Sequence, residues 1–179
     1  MSVMKLNFDY TGITMSNPGN ILHLEGIDND KINEEVLLNK ENRLDVNPLQ
    51  SHYEDTFIPN SESVDHLLFK IDSEVKTKVD PFLKLDTFWS HILHPGQSTM
   101  YHNHKEGRDG LSFVYYTKYT KQSGNLIFDF EVLGKRVCLS MEPRVGDLVI
   151  FPTWMPHYTS RNVTDDTRIS ISGNYFKIT

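Results

Sequence analysis

Residues 111–131, LSFVYYTKYTKQSGNLIFDFE, place two runs of aromatic and β-branched residues on either side of a Ser-Gly pair. Such runs favour strands and Ser-Gly favours a turn, so the stretch predicts two short strands. The same signature recurs from Leu85 onward. It predicts strands near 86–93, 97–102, 111–119, 124–131, 135–141, 147–151, 156–161 and 167–176. Short strands at this spacing are typical of a sandwich or jelly roll and not of βαβ units.

The first 84 residues predict a layer that supports this sheet. We expect a short strand near 20–25, a short helix around 32–37 and a loop over 42–60. The clearest helix is 62–80, with Ser61 as its N-cap and Pro81 at its end. Its apolar residues recur at helical spacing: Val64, Leu67, Leu68, Ile71, Val75 and Val79. We therefore expect one domain, 1–179, with a helical and irregular support segment over 1–84 and a jelly-roll catalytic core over 85–179.

Composition narrows the class of protein further. The 179 residues carry a net charge of −6 and a single cysteine, Cys138, and alanine is absent. Without the best helix former, a mainly β fold is favoured. One cysteine excludes an internal disulfide framework or a cysteine-based zinc site and favours a reducing, cytoplasmic location. We find no signal-peptide core, no apolar run near the ~20 residues of a membrane helix, and no basic nucleic-acid footprint.

Histidines provide the first candidate metal ligands. His102 and His104 lie in HNH at 102–104, and residues i and i+2 of a strand point to the same face. Two imidazoles on one face form a chelating pair for Fe, Zn, Cu or Ni. His157 adds a third candidate: it follows Pro156, shortly after an apolar strand that ends at Pro152. His52 and His66 have no partner types nearby and are interpreted as surface or capping residues.

Arg168 is the candidate ligand for an acid. In RISISGNYF, 168–176, alternation puts Arg168, Ser170, Ser172 and Asn174 on one face. That face is either the solvent-exposed face of the sheet or the lining of a pocket. In a pocket, the guanidinium would bind a carboxylate through two parallel hydrogen bonds.

The segment from Phe88 to Phe176 resembles the Fe(II)/2-oxoglutarate-dependent oxygenases, which have a double-stranded β-helix core. It is most similar to their prolyl-4-hydroxylase-like branch and to small uncharacterised oxygenases of bacteria and phages. The resembling stretches cover about half the chain: HPG at 94–96, HNH at 102–104, SFVYY at 112–116, SGNLIF at 123–128, GDLVIFP at 146–152, PH at 156–157 and RIS at 168–170. The resemblance implies a mainly β jelly-roll (cupin-like) core with supporting N-terminal helices.

The resemblance also implies roles for individual residues. His102 and His157 correspond to the first and the distal iron ligand. Arg168 corresponds to the residue that holds the far carboxylate of 2-oxoglutarate. Ser170, Tyr116 and His94 correspond to further co-substrate contacts.

The third iron ligand departs from the family, which has Asp or Glu where this chain has His104. Two residues can complete the set. His104 has the family's spacing and shares a strand face with His102. Glu106 lies two residues beyond and would supply a carboxylate. We favour His104, because the distance from His102 to Ser112 matches the relatives.

The implied activity is hydroxylation coupled to decarboxylation of 2-oxoglutarate, with Fe(II) and O2 as the other requirements. The substrate is a peptide or amino-acid side chain or a small metabolite. Five aromatic residues are candidates for a rim around the site: Tyr101, Tyr115, Tyr119, Trp154 and Tyr158. Two alternatives stay open: a cupin-type three-histidine metalloprotein that does not use 2-oxoglutarate, and a non-catalytic jelly-roll binding module. Strand edges of a jelly roll also permit a homodimer.

Overall fold

A computed structural model describes residues 6–9, 12–15, 20–41, 55–104, 110–132 and 134–177. The two helices are α1 (Asn29–Glu41) and α2 (Glu62–Lys78). The strands are β1 (Leu6–Asp9), β2 (Gly12–Met15), β3 (Asn20–His23), β4 (Asp55–Phe57), β5 (Leu83–Leu93), β6 (Gly110–Lys118), β7 (Leu126–Val132), β8 (Lys135–Met141), β9 (Asp147–Pro152), β10 (His157–Thr159) and β11 (Arg168–Lys177). The prediction of a mainly β chain is confirmed.

Two antiparallel sheets face one another across an apolar interior. The larger has six strands in the order β3-β9-β6-β11-β5-β4, and the smaller has three in the order β10-β7-β8. β1 and β2 form a separate pair. Side chains from both sheets meet in one buried cluster, including Val114 and Phe151 from the larger sheet and Leu126 and Phe128 from the smaller. The interior between the sheets is where the candidate site residues lie.

The helices cover the other face of the six-stranded sheet. Ser61 caps α2, since its hydroxyl oxygen accepts the Val64 N–H at 3.1 Å. The buried stripe of α2 then packs with Ile171 and Tyr115, which point outward from the sheet. The helix predicted over 62–80 is confirmed; it ends at Lys78, less than one turn before Pro81. No helix among the described residues is long and apolar enough to cross a lipid bilayer.

Three sequence predictions about local structure differ from the structure. α1 is longer than predicted, because burial of Ile32 and Val36 against α2 and the sheet extends it. The predicted loop over 42–60 contains β4, which pairs with β5; residues 42–54 lie outside the described part. Residues 97–102 form no regular strand. Thr99 and Thr159 instead exchange backbone-to-hydroxyl hydrogen bonds of 2.9 and 2.6 Å, which replace a regular ladder at that point.

Candidate active site

His102, His104 and His157 come together at one end of the interior; we call them the histidine cluster. Their candidate ligand nitrogens all lie within 4.8 Å of one another. The ring centroids are 4.9 Å apart for His102 and His104, 4.4 Å for His102 and His157, and 5.2 Å for His104 and His157. His157 is buried and the other two are more open. Three imidazoles this close can bind one divalent metal.

Backbone hydrogen bonds hold the cluster in register. His102 and His157 form an isolated antiparallel bridge, with N–H to O distances of 3.0 and 2.9 Å. The His104 N–H donates to the Thr153 carbonyl oxygen at 2.9 Å. His157 itself pairs with Phe128 of β7. The HNH segment therefore reaches the cluster through these bonds and not as the regular strand from which the sequence argument started.

In two of the imidazoles, a backbone carbonyl group determines which ring nitrogen carries the proton. His102 Nδ1 lies 2.7 Å from the Met100 carbonyl oxygen, and His157 Nδ1 lies 3.0 Å from that of Met155. A carbonyl oxygen only accepts, so each Nδ1 carries the proton and donates it. This leaves Nε2 of both rings with a free lone pair, which is the tautomer that a metal ligand needs.

The protonation state of the cluster also suits metal binding. Burial, with smaller contributions from the neighbouring His102 and His104, lowers the pKa of His157 to about 3, although the hydrogen bond to the Met155 carbonyl opposes the shift. Burial, with a smaller contribution from His102, lowers the pKa of His104 to about 4. Both rings are therefore neutral near pH 7, as ligands must be. Glu106, the alternative third ligand, lies outside the described residues.

Arg168 lies in the interior between the sheets and not on a solvent-exposed face. It opens β11, pairs with Leu93 of β5, and is only 1% exposed. It lines the same cavity as the histidine cluster. Its strand-face neighbours Ser170 and Ser172 are buried as well. Of the two interpretations of the alternating face, the structure supports the lined pocket.

The Arg168 guanidinium has unsatisfied hydrogen-bonding groups. Nε and Nη1 are buried and have no hydrogen-bond partner among the described residues. Its Cζ lies 4.9 Å from the centroid of the Tyr116 ring, a cation–π contact that leaves the N–H groups available. The Tyr116 and Ser170 hydroxyls are also buried without a partner in the described part of the chain. Burial raises the pKa of Tyr116, so the phenol keeps its proton and is able to donate it.

These unsatisfied groups fit one kind of ligand. A buried cation without a counter-charge is costly, and a carboxylate would satisfy it through two parallel hydrogen bonds. The cavity has the Arg168 guanidinium at one end and the three imidazoles of the histidine cluster at the other. A ligand with an acid group at each end suits both, and 2-oxoglutarate is such a ligand.

His94, for which the family resemblance implied a co-substrate contact, is not among the described residues that line this cavity. It follows the last residue of β5, its Nε2 lies 2.6 Å from Lys40 Nζ, and its Nδ1 lies 3.4 Å from Thr167 Oγ1. His91 lines the cavity instead and is nearly fully buried. His91 is not among the site residues predicted from the sequence, although alternation along β5 places it on the same face as Trp89, which also lines the cavity.

The predicted aromatic rim is only partly assembled. Tyr101 and Trp154 are exposed, and each lies within a few residues of a cluster histidine in the chain. The ring centroids of Tyr101 and Tyr158 are 6.3 Å apart. Tyr115 points to the opposite face of the sheet and donates to Asn29 Oδ1, so it is not part of a rim. Tyr119 donates to Asn125 Oδ1. Two other aromatic residues line the cavity beside the cluster: the Phe151 ring centroid is 4.7 Å from that of His157, and the Trp89 ring centroid is 5.4 Å from that of His104.

Comparison with known proteins gives a consistent result. Residues 87–174 match the family described as "Putative 2OG-Fe(II) oxygenase". No curated protein matches the chain.

Several solved structures share the fold at low identity. A prolyl-4-hydroxylase from Pseudomonas putida is 19% identical with a TM-score of 0.64, over 92% of this chain and 94% of that one. A viral collagen prolyl hydroxylase from Paramecium bursaria Chlorella virus-1, in a 2-oxoglutarate complex, is 14% identical with a TM-score of 0.63, over 91% and 98%. HygX from Streptomyces hygroscopicus, with nickel and 2-oxoglutarate bound, is 12% identical with a TM-score of 0.66, over 89% and 83%.

The fold is therefore a double-stranded β-helix, as the family resemblance implied. The family match covers the segment that contains the histidine cluster and Arg168. Through residues 87–174, the chain belongs to the Fe(II)/2-oxoglutarate-dependent oxygenases, enzymes that require Fe(II), 2-oxoglutarate and O2.

Proposed function

We propose that the histidine cluster holds the catalytic Fe(II) and that the enzyme hydroxylates a peptide side chain, an amino acid or a small metabolite. Arg168 binds the far carboxylate of 2-oxoglutarate, assisted by the Tyr116 and Ser170 hydroxyls. The observation that carries this proposal is the buried Arg168 guanidinium. It shares one cavity with the three imidazoles of the histidine cluster, and its Nε and Nη1 groups have no hydrogen-bond partner among the described residues.

The bound cofactors supply the oxidation: 2-oxoglutarate is decarboxylated to succinate and CO2, and one oxygen atom of O2 enters the substrate as a hydroxyl group. The chain's own residues bind and orient these groups. The Met100 and Met155 carbonyls orient His102 and His157, so that each presents Nε2. Arg168 sets the direction of the co-substrate. Apolar side chains of the cavity wall, Val114, Leu126 and Phe151, limit access of water.

The two other candidate functions account for less of this site. A cupin-type metalloprotein that does not use 2-oxoglutarate requires the histidine cluster but gives no role to Arg168. A non-catalytic binding module requires neither feature. An unsatisfied buried guanidinium costs stability unless an anion compensates for it, so its presence favours an acid co-substrate.

The test is calorimetric titration of 2-oxoglutarate into the anaerobic Fe(II) protein. Arg168→Lys keeps the charge but loses the planar fork, and we expect affinity to fall about ten-fold; Arg168→Ala should reduce it about a hundred-fold. Both variants should still bind Fe(II). Arg144, whose side chain is largely exposed and pairs with Asp147, provides the control variant Arg144→Ala. Unchanged 2-oxoglutarate affinity in both Arg168 variants would refute the proposal.

A further inference from the structure

The backbone carbonyls that accept from the two histidines have different surroundings. The Met155 carbonyl, which accepts from His157 Nδ1, precedes β10, which begins at His157 itself. The Met100 carbonyl, which accepts from His102 Nδ1, lies two residues before an antiparallel bridge in which His102 and His157 exchange both backbone hydrogen bonds. A strand ladder that continued from this bridge would use the Met100 carbonyl for the backbone.

The register of the bridge identifies the donor that a continued ladder would bring to Met100. Residue pairs that exchange both backbone hydrogen bonds recur at every second position of an antiparallel ladder. The pair after His102 and His157 is therefore Met100 and Thr159, and the Thr159 N–H would donate to the Met100 carbonyl oxygen. In the structure the Thr159 N–H donates instead to the Thr99 hydroxyl oxygen at 2.6 Å, and the Met100 carbonyl accepts from His102 Nδ1 at 2.7 Å.

The Met100 carbonyl cannot serve both donors with good geometry. Ladder hydrogen bonds lie in the plane of a sheet, whereas side chains stand roughly perpendicular to it. A Met100 carbonyl that points at the Thr159 N–H is therefore turned away from the His102 ring. The Thr99 hydroxyl supplies the alternative acceptor, as short hydroxyl side chains do when they compete with backbone carbonyls. Thr99 is buried, and its own N–H donates to the Thr159 hydroxyl at 2.9 Å, which holds it in place.

We propose that Thr99 is a positioning residue of the metal centre: its hydroxyl accepts the Thr159 N–H and so leaves the Met100 carbonyl to keep the proton of His102 on Nδ1. This inference rests on the proposed function, in which His102 Nε2 binds Fe(II). Without the hydroxyl, the buried Thr159 N–H finds an acceptor only by turning to the Met100 carbonyl. His102 Nδ1 then loses its acceptor, and a proton on Nε2 competes with the metal.

The first measurement is the tautomer of His102 in the metal-free protein. Long-range proton–nitrogen NMR spectra distinguish an Nδ1–H from an Nε2–H imidazole at about pH 8, well above the ordinary histidine pKa of about 6.5. The His102 signals are those that disappear in His102→Gln. We expect the Nδ1–H form in the wild type and in Thr99→Ser. Thr99→Val keeps the shape but lacks the hydroxyl and should show the Nε2–H form as well; Thr99→Ala is a second hydroxyl-free variant with less bulk.

The matched variant is Thr159→Val, which removes the other half of the exchange. It leaves the Thr99 hydroxyl bound to the Thr159 N–H, so His102 should keep the Nδ1–H form. Anaerobic calorimetric titration with Fe(II) should show an affinity at least about ten-fold lower for Thr99→Val and Thr99→Ala, the usual effect of losing the hydrogen-bond partner of a metal ligand. Thr99→Ser and Thr159→Val should stay within about three-fold of the wild type. A pair with a purely structural role would make the two valine variants alike in both measurements.

Three results would overturn the inference: an Nε2–H ring at His102 in the wild type, a hydroxyl-free Thr99 variant with unchanged tautomer or unchanged Fe(II) affinity, or a Thr159→Val variant that matches Thr99→Val. The tautomer is measured without metal, which separates this inference from the proposed function. If the wild type binds no Fe(II), the proposed function fails and the role of Thr99 fails with it. If the wild type binds Fe(II) and the hydroxyl-free variants behave like it, only the role of Thr99 fails.

Discussion

Tyr115 and Tyr116 are consecutive residues of β6 whose side chains serve opposite faces of the six-stranded sheet. Tyr115 packs in the cluster under the helices and donates its hydroxyl proton to Asn29 Oδ1 at 3.0 Å. Tyr116 points into the interior, where its ring lies 4.9 Å from Arg168 Cζ. Its hydroxyl has no partner among the described residues. One tyrosine therefore contributes to the fold, and its neighbour is available to a ligand.

Because of this difference, a Tyr→Phe substitution should reduce ligand affinity at one position and protein stability at the other. Tyr116→Phe should weaken 2-oxoglutarate binding roughly 2- to 10-fold, since one hydrogen bond to the ligand is lost. It should not lower the stability of the ligand-free protein, because no protein hydrogen bond is removed. Tyr115→Phe should cost about 1 kcal/mol of unfolding free energy and leave 2-oxoglutarate affinity unchanged. Calorimetry and urea denaturation of both variants measure the two quantities, and the reverse pattern would contradict the assignment.

The identity of the third metal ligand is tested by two alanine variants. His104→Ala should abolish tight Fe(II) binding, because it removes one of three converging imidazoles. Glu106→Ala should bind Fe(II) like the wild type. His104→Asp should retain binding, since it restores the carboxylate that the family usually has at this position. Anaerobic Fe(II) titration gives the affinities. If Glu106→Ala loses the metal and His104→Ala keeps it, Glu106 and not His104 is the third ligand.

Glu35 predicts a pH-dependent contribution to stability. Its carboxylate accepts hydrogen bonds from the Ser61 hydroxyl and from the Ser63 N–H and hydroxyl, and so connects α1 to the start of α2. The Ser61 hydrogen bond is the main cause that lowers the pKa of Glu35 below its ordinary value of 4.5. Because the folded-state pKa is the lower one, the stabilisation is complete above the unfolded pKa and is lost as pH falls through the folded pKa.

Glu35→Gln should therefore reduce the free energy of unfolding by about 1 kcal/mol at pH 7. The difference from the wild type should shrink progressively below about pH 4.5. Urea denaturation at several pH values measures this trend. Glu34→Gln, on the exposed neighbouring residue, is the control and should have little effect at any pH. A difference that stays constant down to pH 3 would contradict the predicted linkage.

The prediction of a single domain is tested through α2. Leu67 is completely buried between α2 and the six-stranded sheet. Leu67→Ala should cost about 3 kcal/mol and should shift one cooperative unfolding transition seen by both far-UV circular dichroism and tryptophan fluorescence. Phe69→Ala, on the exposed side of α2, should stay within about 0.5 kcal/mol of the wild type. Separate transitions for the two probes would show that the support segment and the core unfold independently.

Local pattern was sufficient for much of the secondary structure. The apolar repeat of α2 and the alternating segments from β5 to β11 depend on neighbours within a few residues, and they were predicted nearly at their observed bounds. Weak local signals were less informative. β4 has three residues and exists because it pairs with β5, and 97–102 departs from a strand because Thr99 bonds to Thr159.

The candidate site shows the same difference between what local sequence determines and what tertiary contacts determine. The sequence by itself determined which residues could bind a metal or an acid: the histidines at 102, 104 and 157 and the arginine at 168, with their spacing and chemistry. Alternation along β11 also determined that Arg168 and Ser170 share a face. It did not determine what covers that face, because burial depends on the second sheet, which is formed by distant residues.

Only the tertiary structure decided that the face of Arg168 lies inside and that Tyr116 lies against it. Only the tertiary structure brought His157 to His102, through a backbone bridge between segments 55 residues apart in the chain. The tertiary structure also placed His91, and not His94, in the lining of the cavity, because strand register sets which side of a sheet a residue faces. Residue type and period are properties of the local chain, whereas enclosure and convergence result from contacts between remote strands.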